Sequence, residues 1–319
     1  MFGIRRKRQA GILINPAAAK NRDDAGATAH RLEAEARALN PAVWIASSVD
    51  DIYRIAEEFR AGGMKYLVVS GGNGTFHHVV SRFKTVYRGG EIPPILLLKA
   101  GHINTIAESI GLAGDGADIL ARFSTLVRKG GSPLFMKRNL IKIEDRYCVI
   151  FGCGIITTYM DLYYQMGEYT PHKAFEVLTR MITALRDPKS KEARRYFAPF
   201  ESKISINGAH WKRKNILGCI ALTIPTVGLG FNPGSRALDE AGSFQFICSA
   251  LRPVDFLTQI FRLYSGVRID DPNHFDDLVK EVLVESKDLF RYTMDGEMYD
   301  AIYELRVSTS STGVNLIYA

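Results

Sequence analysis

From Tyr66 to Val80 the chain reads YLVVSGGNGTFHHVV: a β-branched apolar run, three glycines in four residues, then a helical pattern. No other stretch limits the fold so sharply. A strand that runs through a glycine turn straight into a helix gathers main-chain N–H groups and a helix N-terminus round a concavity that suits an anion. Gly71, Gly72 and Gly74 permit unusual backbone angles and let a ligand approach the main chain. Taken alone, the turn also fits a plain tight connection. It is neither GxGxxG nor GxxxxGK[ST], so the ordinary dinucleotide and P-loop readings lose ground.

The turn sits in an alternating first third. GILINP (Gly11 to Pro16) is a short apolar run closed by Asn-Pro, Asp24 to Leu39 is helix-like, and AVWIASS (Ala42 to Ser48) is a second strand. Ser48 or Asp50 could cap the next helix, which carries Ile52, Ile55, Ala56 and Phe59 at helical spacing and stops at Gly62-Gly63. KYLVVS, a helix over Phe76 to Phe83, the strand PPILLLKAG and a helix opening at Ile106 complete the rhythm. Strands joined by helices imply a doubly wound, Rossmann-like α/β domain with ligands at the carboxyl ends of its strands. Residues 1–133 are assigned to it, with Gly130 to Pro133 as the joint. Beyond Leu134, KRNLIKIE, RYCVIFGCGI, SKISING, GCIALTIPT and SFQFICSA are short strands mostly joined without helices. They predict an antiparallel β-sandwich domain over 134–305 with one helical excursion, Pro171 to Tyr196, and a C-terminal segment, 306–319, returning to the first domain.

The 319 residues, 46% hydrophobic and 24% charged, suffice for two compact domains. No apolar run approaches a membrane span and MFGIRRKR lacks a signal-peptide core, which predicts a cytoplasmic protein. Cys148, Cys153, Cys219 and Cys248 form no CxxC pair and read as reduced core residues. His77 and His78 are adjacent and share no helix face, which argues against zinc. A net charge of +7 favours an anionic partner. Its basic residues cluster at Arg5 to Arg8, Lys189 to Arg195 and Lys212 to Lys214. No nucleic-acid module or aromatic platform accompanies them.

Four stretches, INPAAAKN (Ile14 to Asn21), GGNGT, AGHINTIAESIGL (Ala100 to Leu112) and MDGE (Met294 to Glu297), together resemble the diacylglycerol kinase catalytic family. That family of lipid kinases includes sphingosine and ceramide kinases, and NAD kinases share a similar glycine turn. GLGFNPGSRALDEAGSFQF is similar to a segment of the family's second domain. The resemblance implies ATP and Mg2+ as cofactors. It places Asn15, Pro16, Lys20, Gly71, Gly72, Gly74 and Thr75 on the triphosphate, and Gly101, His102 and Asn104 at the family's GTxN nucleotide segment. Glu297 takes the position of the carboxylate base, and Asp295 joins the magnesium and hydrogen-bond network. Phosphoryl transfer needs such positioning and charge neutralisation more than covalent help. Asp295 and Glu297, flanking a glycine, are expected to point to one side of an extended segment.

Three departures qualify the resemblance. The family's GGDGT aspartate, a catalytic position, is Asn73, which can hydrogen-bond but carries no charge. The threonine of GTxN is His102 and the preceding proline is Lys99, both offering positive charge to phosphates. Ala241 aligns with the aspartate of a second-domain pair that can hold structural Mg2+, leaving Asp239 as the candidate ligand. The expected function is ATP-dependent phosphorylation of a hydroxyl on a diacylglycerol- or sphingoid-like lipid; the alternative is a pseudokinase that binds nucleotide or lipid without turnover. The expected partners are a lipid substrate, an anionic membrane surface met peripherally and a second copy of the chain. The stripe Phe175, Leu178, Met181, Ile182 and Leu185 could face a membrane, cover an acyl chain or pack as core.

Overall fold

The computed structural model describes residues 8–22 and 24–318. Arg5 to Lys7, three of the four residues in the first basic cluster, lie outside the described residues. Two compact units divide the chain: one runs to Arg138 and resumes at Thr312, and the other is Asn139–Ser311.

The first unit is built from β1 (Ala10–Ile14), α1 (Ala25–Glu35), β2 (Ala42–Ile45), α2 (Val49–Gly62), β3 (Tyr66–Ser70), α3 (Asn73–Val86), β4 (Ile95–Leu97), α4 (Thr105–Glu108), α5 (Gly116–Arg128) and β5 (Leu134–Arg138). Every residue of β1 is buried, the continuous apolar signature of a parallel strand covered on both faces. Ser48 and Asp51 form a capping box that starts α2, whose buried stripe is Ile52, Ile55, Ala56 and Phe59; Gly63, at φ 55°, ends it. The strands lie in the order β2-β1-β3-β4, all parallel, followed by the C-terminal strand Val314–Tyr318 and then β5. The order reverses between β1 and β3, so their carboxyl ends flank the switch point where doubly wound sheets take ligands.

The C-terminal strand pairs antiparallel with β5 from Val314↔Arg138 to Tyr318↔Leu134. It is held from beneath by Lys84, whose buried ammonium donates to Thr312 Oγ1 at 2.6 Å and to the Gly313 carbonyl at 3.0 Å. Because β5 belongs to this sheet, the division falls after Arg138 rather than at Gly130–Pro133. Gly130 and Gly131 instead close the end of α5, donating back to Val127 and Leu126.

The second unit comprises β6 (Ile141–Ile143), β7 (Arg146–Cys148), β8 (Ile150–Gly154), α6 (Ile155–Gln165), α7 (Pro171–Ala184), α8 (Lys191–Tyr196), β9 (Phe200–Ile206), β10 (Ala209–Trp211), β11 (Asn215–Ile216), β12 (Gly218–Leu222), β13 (Phe244–Ser249), α9 (Pro253–Thr258), α10 (Ile260–Ser265), β14 (His274–Val279), β15 (Glu281–Met294) and β16 (Glu297–Thr309). All strand pairs here are antiparallel. The long β15 pairs with β9 through its first half and β8 through its second, and its pairing with β16 shifts register between Glu285 and Tyr292. Ile141, Phe151, Ile204, Phe246, Val282 and Leu305, from six different strands, share one buried cluster, so the network curves round a single apolar core.

More helix is present than the one expected excursion. That stretch splits into α7 and α8, and α6, α9 and α10 are additional. The α6 sequence, IITTYMDLYYQ, is rich in β-branched and aromatic residues that favour strands; here tertiary packing overrides propensity.

Candidate active site

The glycine turn lies at the switch point of the first unit. Asn15, directly after β1, donates through its main chain to the Ser70 carbonyl at 3.0 Å. Its side-chain Nδ2 donates to Thr75 Oγ1 at 2.8 Å, and its Oδ1 accepts from the Ala17 N–H at 2.9 Å. Thr75 therefore keeps its own hydroxyl proton to give. Asn21, buried and not singled out by the sequence reading, locks the same corner: Nδ2 donates to the carbonyls of Asn15 (2.8 Å) and Ser70 (3.1 Å), while Oδ1 accepts from Ser70 Oγ. Its signal was its place at the end of INPAAAKN. Lys20 is exposed, and its N–H donates to the Ala100 carbonyl at 3.0 Å.

The glycines are required by close approach rather than by positive φ. A Cβ on Gly71 would lie 2.4 Å from Thr75 Cβ, and one on Gly101 would lie 2.6 Å from Gly72 Cα. The turn and the Gly101 segment thus touch backbone to backbone. No side chain caps the first turn of α3, which leaves its N-terminal amides for a ligand. Asn73 is the first residue of α3, and its Oδ1 accepts from the Ile106 N–H at 3.4 Å, a long contact that ties the turn to the start of α4.

Two expected nucleotide contacts are turned inward. Asn104 closes on its own loop, accepting from the Gly101 N–H at 3.1 Å and donating to the Gly101 carbonyl at 2.9 Å. Lys99 adopts φ 51°, a conformation closed to proline, and its ammonium donates to the Leu112 carbonyl at 3.1 Å. Its charge is thereby drawn toward that carbonyl. His102 is exposed.

In the second unit, Asp295 and Gly296 are the two loop residues of the β15–β16 hairpin, with φ 51° and 94° and Met294 opposite Glu297. This is the Asp-Gly type I′ turn geometry, which corrects the extended-segment expectation: the carboxylates do not project together from a straight strand. Asp295 is buried and folds back onto the start of β8, with Oδ1 accepting from the N–H groups of Val149 (3.1 Å) and Ile150 (2.8 Å). Burial pushes its pKa up to about 8; those amides pull it down, and Glu297 pushes it up. Asp295 therefore positions the hairpin. Glu297 is half-buried, and Tyr164 of α6 donates its hydroxyl to the Gly296 carbonyl. Burial, and next the charge of Glu297, raise the Tyr164 phenol's pKa. Tyr164 too was not singled out by the sequence reading, which drew no element between RYCVIFGCGI and Pro171.

Asp239 is exposed and lies 3.6 Å from Arg236 Nε, so it faces a guanidinium rather than other oxygens. Among the described residues no group of three His, Cys, Asp or Glu side chains is gathered for a metal.

The same unit contains a cavity of about 220 Å³. Leu178, Met181 and Ile182 of α7, and Leu185 directly after it, line it together with residues of α6, β12, β13, α9 and α10. Four of the five stripe residues thus face an internal space; Phe175 stays outside, 59% exposed.

The first unit is thus a doubly wound α/β sheet with an uncapped glycine turn at its switch point. Residues 9–134 match the family model described as the diacylglycerol kinase catalytic domain, so the resemblance holds over that stretch. Among solved structures, a diacylglycerol kinase from Bacillus anthracis str. Sterne is 13% identical with a TM-score of 0.65, covering 98% of this chain and 97% of that one. Two further structures from that organism, provisionally named diacylglycerol kinases, give 14% identity with TM-score 0.73 and 15% with 0.69, at the same coverage. At these identities the likeness establishes the fold over both units. No curated protein matches the chain.

Proposed function

We propose that the protein is a lipid kinase that transfers the γ-phosphoryl group of ATP to a hydroxyl of an amphiphile whose chain enters the cavity of the second unit. The single observation that carries this reading is that apolar cavity, present in a chain whose residues 9–134 match the diacylglycerol kinase catalytic model. The uncapped α3 terminus and Thr75 Oγ1 fit a triphosphate: no side chain caps the first-turn amides, and Thr75, which accepts from Asn15, keeps its own proton to give. Lys20, exposed beside that turn, is the cation proposed to neutralise phosphate charge. Magnesium, which binds through substrate phosphates with few protein carboxylates, would be held chiefly by the nucleotide and would neutralise the charge of its phosphates. Glu297 is the base proposed to accept the hydroxyl proton, oriented by a hairpin that Asp295 and Tyr164 fix.

The helices that line the cavity carry exposed apolar and basic residues on their other faces. Phe261 is 78% exposed, with Tyr264, Val254, Arg252 and Arg262 nearby in sequence, and Phe175 accompanies Arg180 on α7. This supports peripheral docking on an anionic membrane from the cytoplasmic side. Among the described residues no helix is long and apolar enough to cross a membrane.

One observation favours a second reading, a binding protein without turnover: Asn73 is uncharged where the family has a carboxylate, and its amide oxygen faces Ile106 N–H. Both are tested by incubating the protein with γ-labelled ATP, Mg2+ and mixed micelles of diacylglycerol, sphingoid base or ceramide, beside Glu297→Ala and Asn73→Asp. Labelled lipid from the wild type, lost in Glu297→Ala, is the expected result. Product from Asn73→Asp alone would mean that one side chain silences the site. Inert proteins that still bind nucleotide or lipid would leave the second reading standing.

A further inference from the structure

The cavity wall is apolar except at one corner. His274, the first residue of β14, borders the space and is 8% exposed, yet neither ring nitrogen has a hydrogen-bond partner. Ser249 lies directly opposite it across the β13–β14 pair and borders the same space. Its Oγ accepts only a long 3.4 Å contact from the Leu251 N–H and keeps its proton to give. A buried imidazole without a partner is costly, and an apolar side chain of similar size would close this wall at lower cost. Burial holds the His274 pKa down to about 4, Asp271 raising it and Arg268 lowering it, so at neutral pH one nitrogen donates and the other accepts. The remaining polar group on the wall is already engaged: the Tyr159 hydroxyl donates to the Ala174 carbonyl at 3.0 Å.

We infer that His274, with Ser249, is a specificity determinant that selects an amphiphile bearing a hydroxyl within or at the end of its apolar chain. The inference rests on the proposed acyl-binding role of the cavity and goes beyond it, since a plain hydrocarbon would leave both ring nitrogens unanswered. A chain hydroxyl both donates and accepts, which matches the neutral imidazole and the serine hydroxyl together. These residues select the ligand and take no part in phosphoryl transfer.

The test is displacement of a polarity-sensitive fluorophore from the full-length protein by three monoacylglycerols: a plain octadecanoyl chain, one hydroxylated at mid-chain and one hydroxylated at its end. One hydroxylated chain is expected to bind roughly tenfold more tightly than the plain chain, the equivalent of one well-made hydrogen bond in a dry site. In His274→Leu the preference is expected to vanish while the plain chain binds at least as well, and the ligand-free variant is expected to melt no lower than the wild type. His274→Gln, which keeps a donor and an acceptor, should retain part of the preference and serves if the leucine variant fails to fold. Equal binding of all three chains to the wild type, or a preference that persists in His274→Leu, would overturn the inference while leaving the cavity's acyl role intact. Failure of every chain to displace the probe would remove both.

Discussion

Two glycine-bearing turns of this protein need their glycines for different reasons, one for close packing and the other for positive φ. At Gly71–Thr75 the glycines keep ordinary backbone angles and are needed for close approach, Gly71 against the Thr75 side chain and Gly72 against the Gly101 main chain. At Asp295–Gly296 both residues have positive φ, and the turn reverses the chain in two residues. In the first, the helix amides stay uncapped; in the second, the carboxylate is taken up by Val149 and Ile150. A sequence motif with an acidic residue beside a glycine therefore need not present that acid to a ligand. The turn that looks inert, carrying an amide in place of a carboxylate, is the one with polar groups to offer.

Removing the Asp295 carboxylate should have the largest effect. Asp295→Ala strands two amides and is expected to cost about 3 kcal/mol in urea denaturation, at about 1–3 kcal/mol per unsatisfied buried donor. The same residue gives a pH signature. Its folded pKa is raised from 3.8 to about 8, so the fold binds its proton more tightly than the unfolded chain does. That contribution is complete below the ordinary carboxyl range and is lost as pH rises toward 8. The wild-type melting temperature should therefore fall relative to Asp295→Asn between those limits; parallel curves would show that the carboxylate stays ionised.

Gly101→Ala should follow, at roughly 1–3 kcal/mol, because its Cβ meets the Gly72 main chain and overpacking has no flexible neighbour to absorb it. Nucleotide affinity, read by titration calorimetry, should fall with it; a variant as stable and as tight as the wild type would break the backbone-contact account. Tyr164→Phe removes the hydroxyl that holds Gly296, at about 0.5–1.5 kcal/mol, and should lower kcat more than the KM for ATP if the hairpin positions Glu297. The smallest stability change belongs to Asn73→Asp, a gain of about 0.3–1 kcal/mol from a carboxylate in the first turn of α3. It should also make nucleotide affinity more dependent on Mg2+, which the same calorimetry with and without the metal would read.

Much of the first unit was legible because its signals are local. The apolar runs of β1 and β3, the Ser48 cap, the α2 stripe and the glycine turn each act within a few residues, and the structure keeps them where the sequence pattern puts them. The second unit was read less fully. Its two longest described strands, β15 and β16, carry charges on their outer faces and show as a hairpin only through the Asp-Gly pair between them, while α6 has a strand's composition. The sequence by itself determined the alternating sheet, the glycine turn and the chemical types gathered in the four family-like motifs, because backbone propensity and periodicity are properties of neighbours along the chain. Only the tertiary structure decided that Asn21 locks the turn, that Lys99 and Asp295 are spent on main-chain partners, and that the α7 stripe borders a cavity with an unanswered histidine. Those outcomes depend on which main-chain groups distant segments leave unpaired, and no spacing along the chain records that.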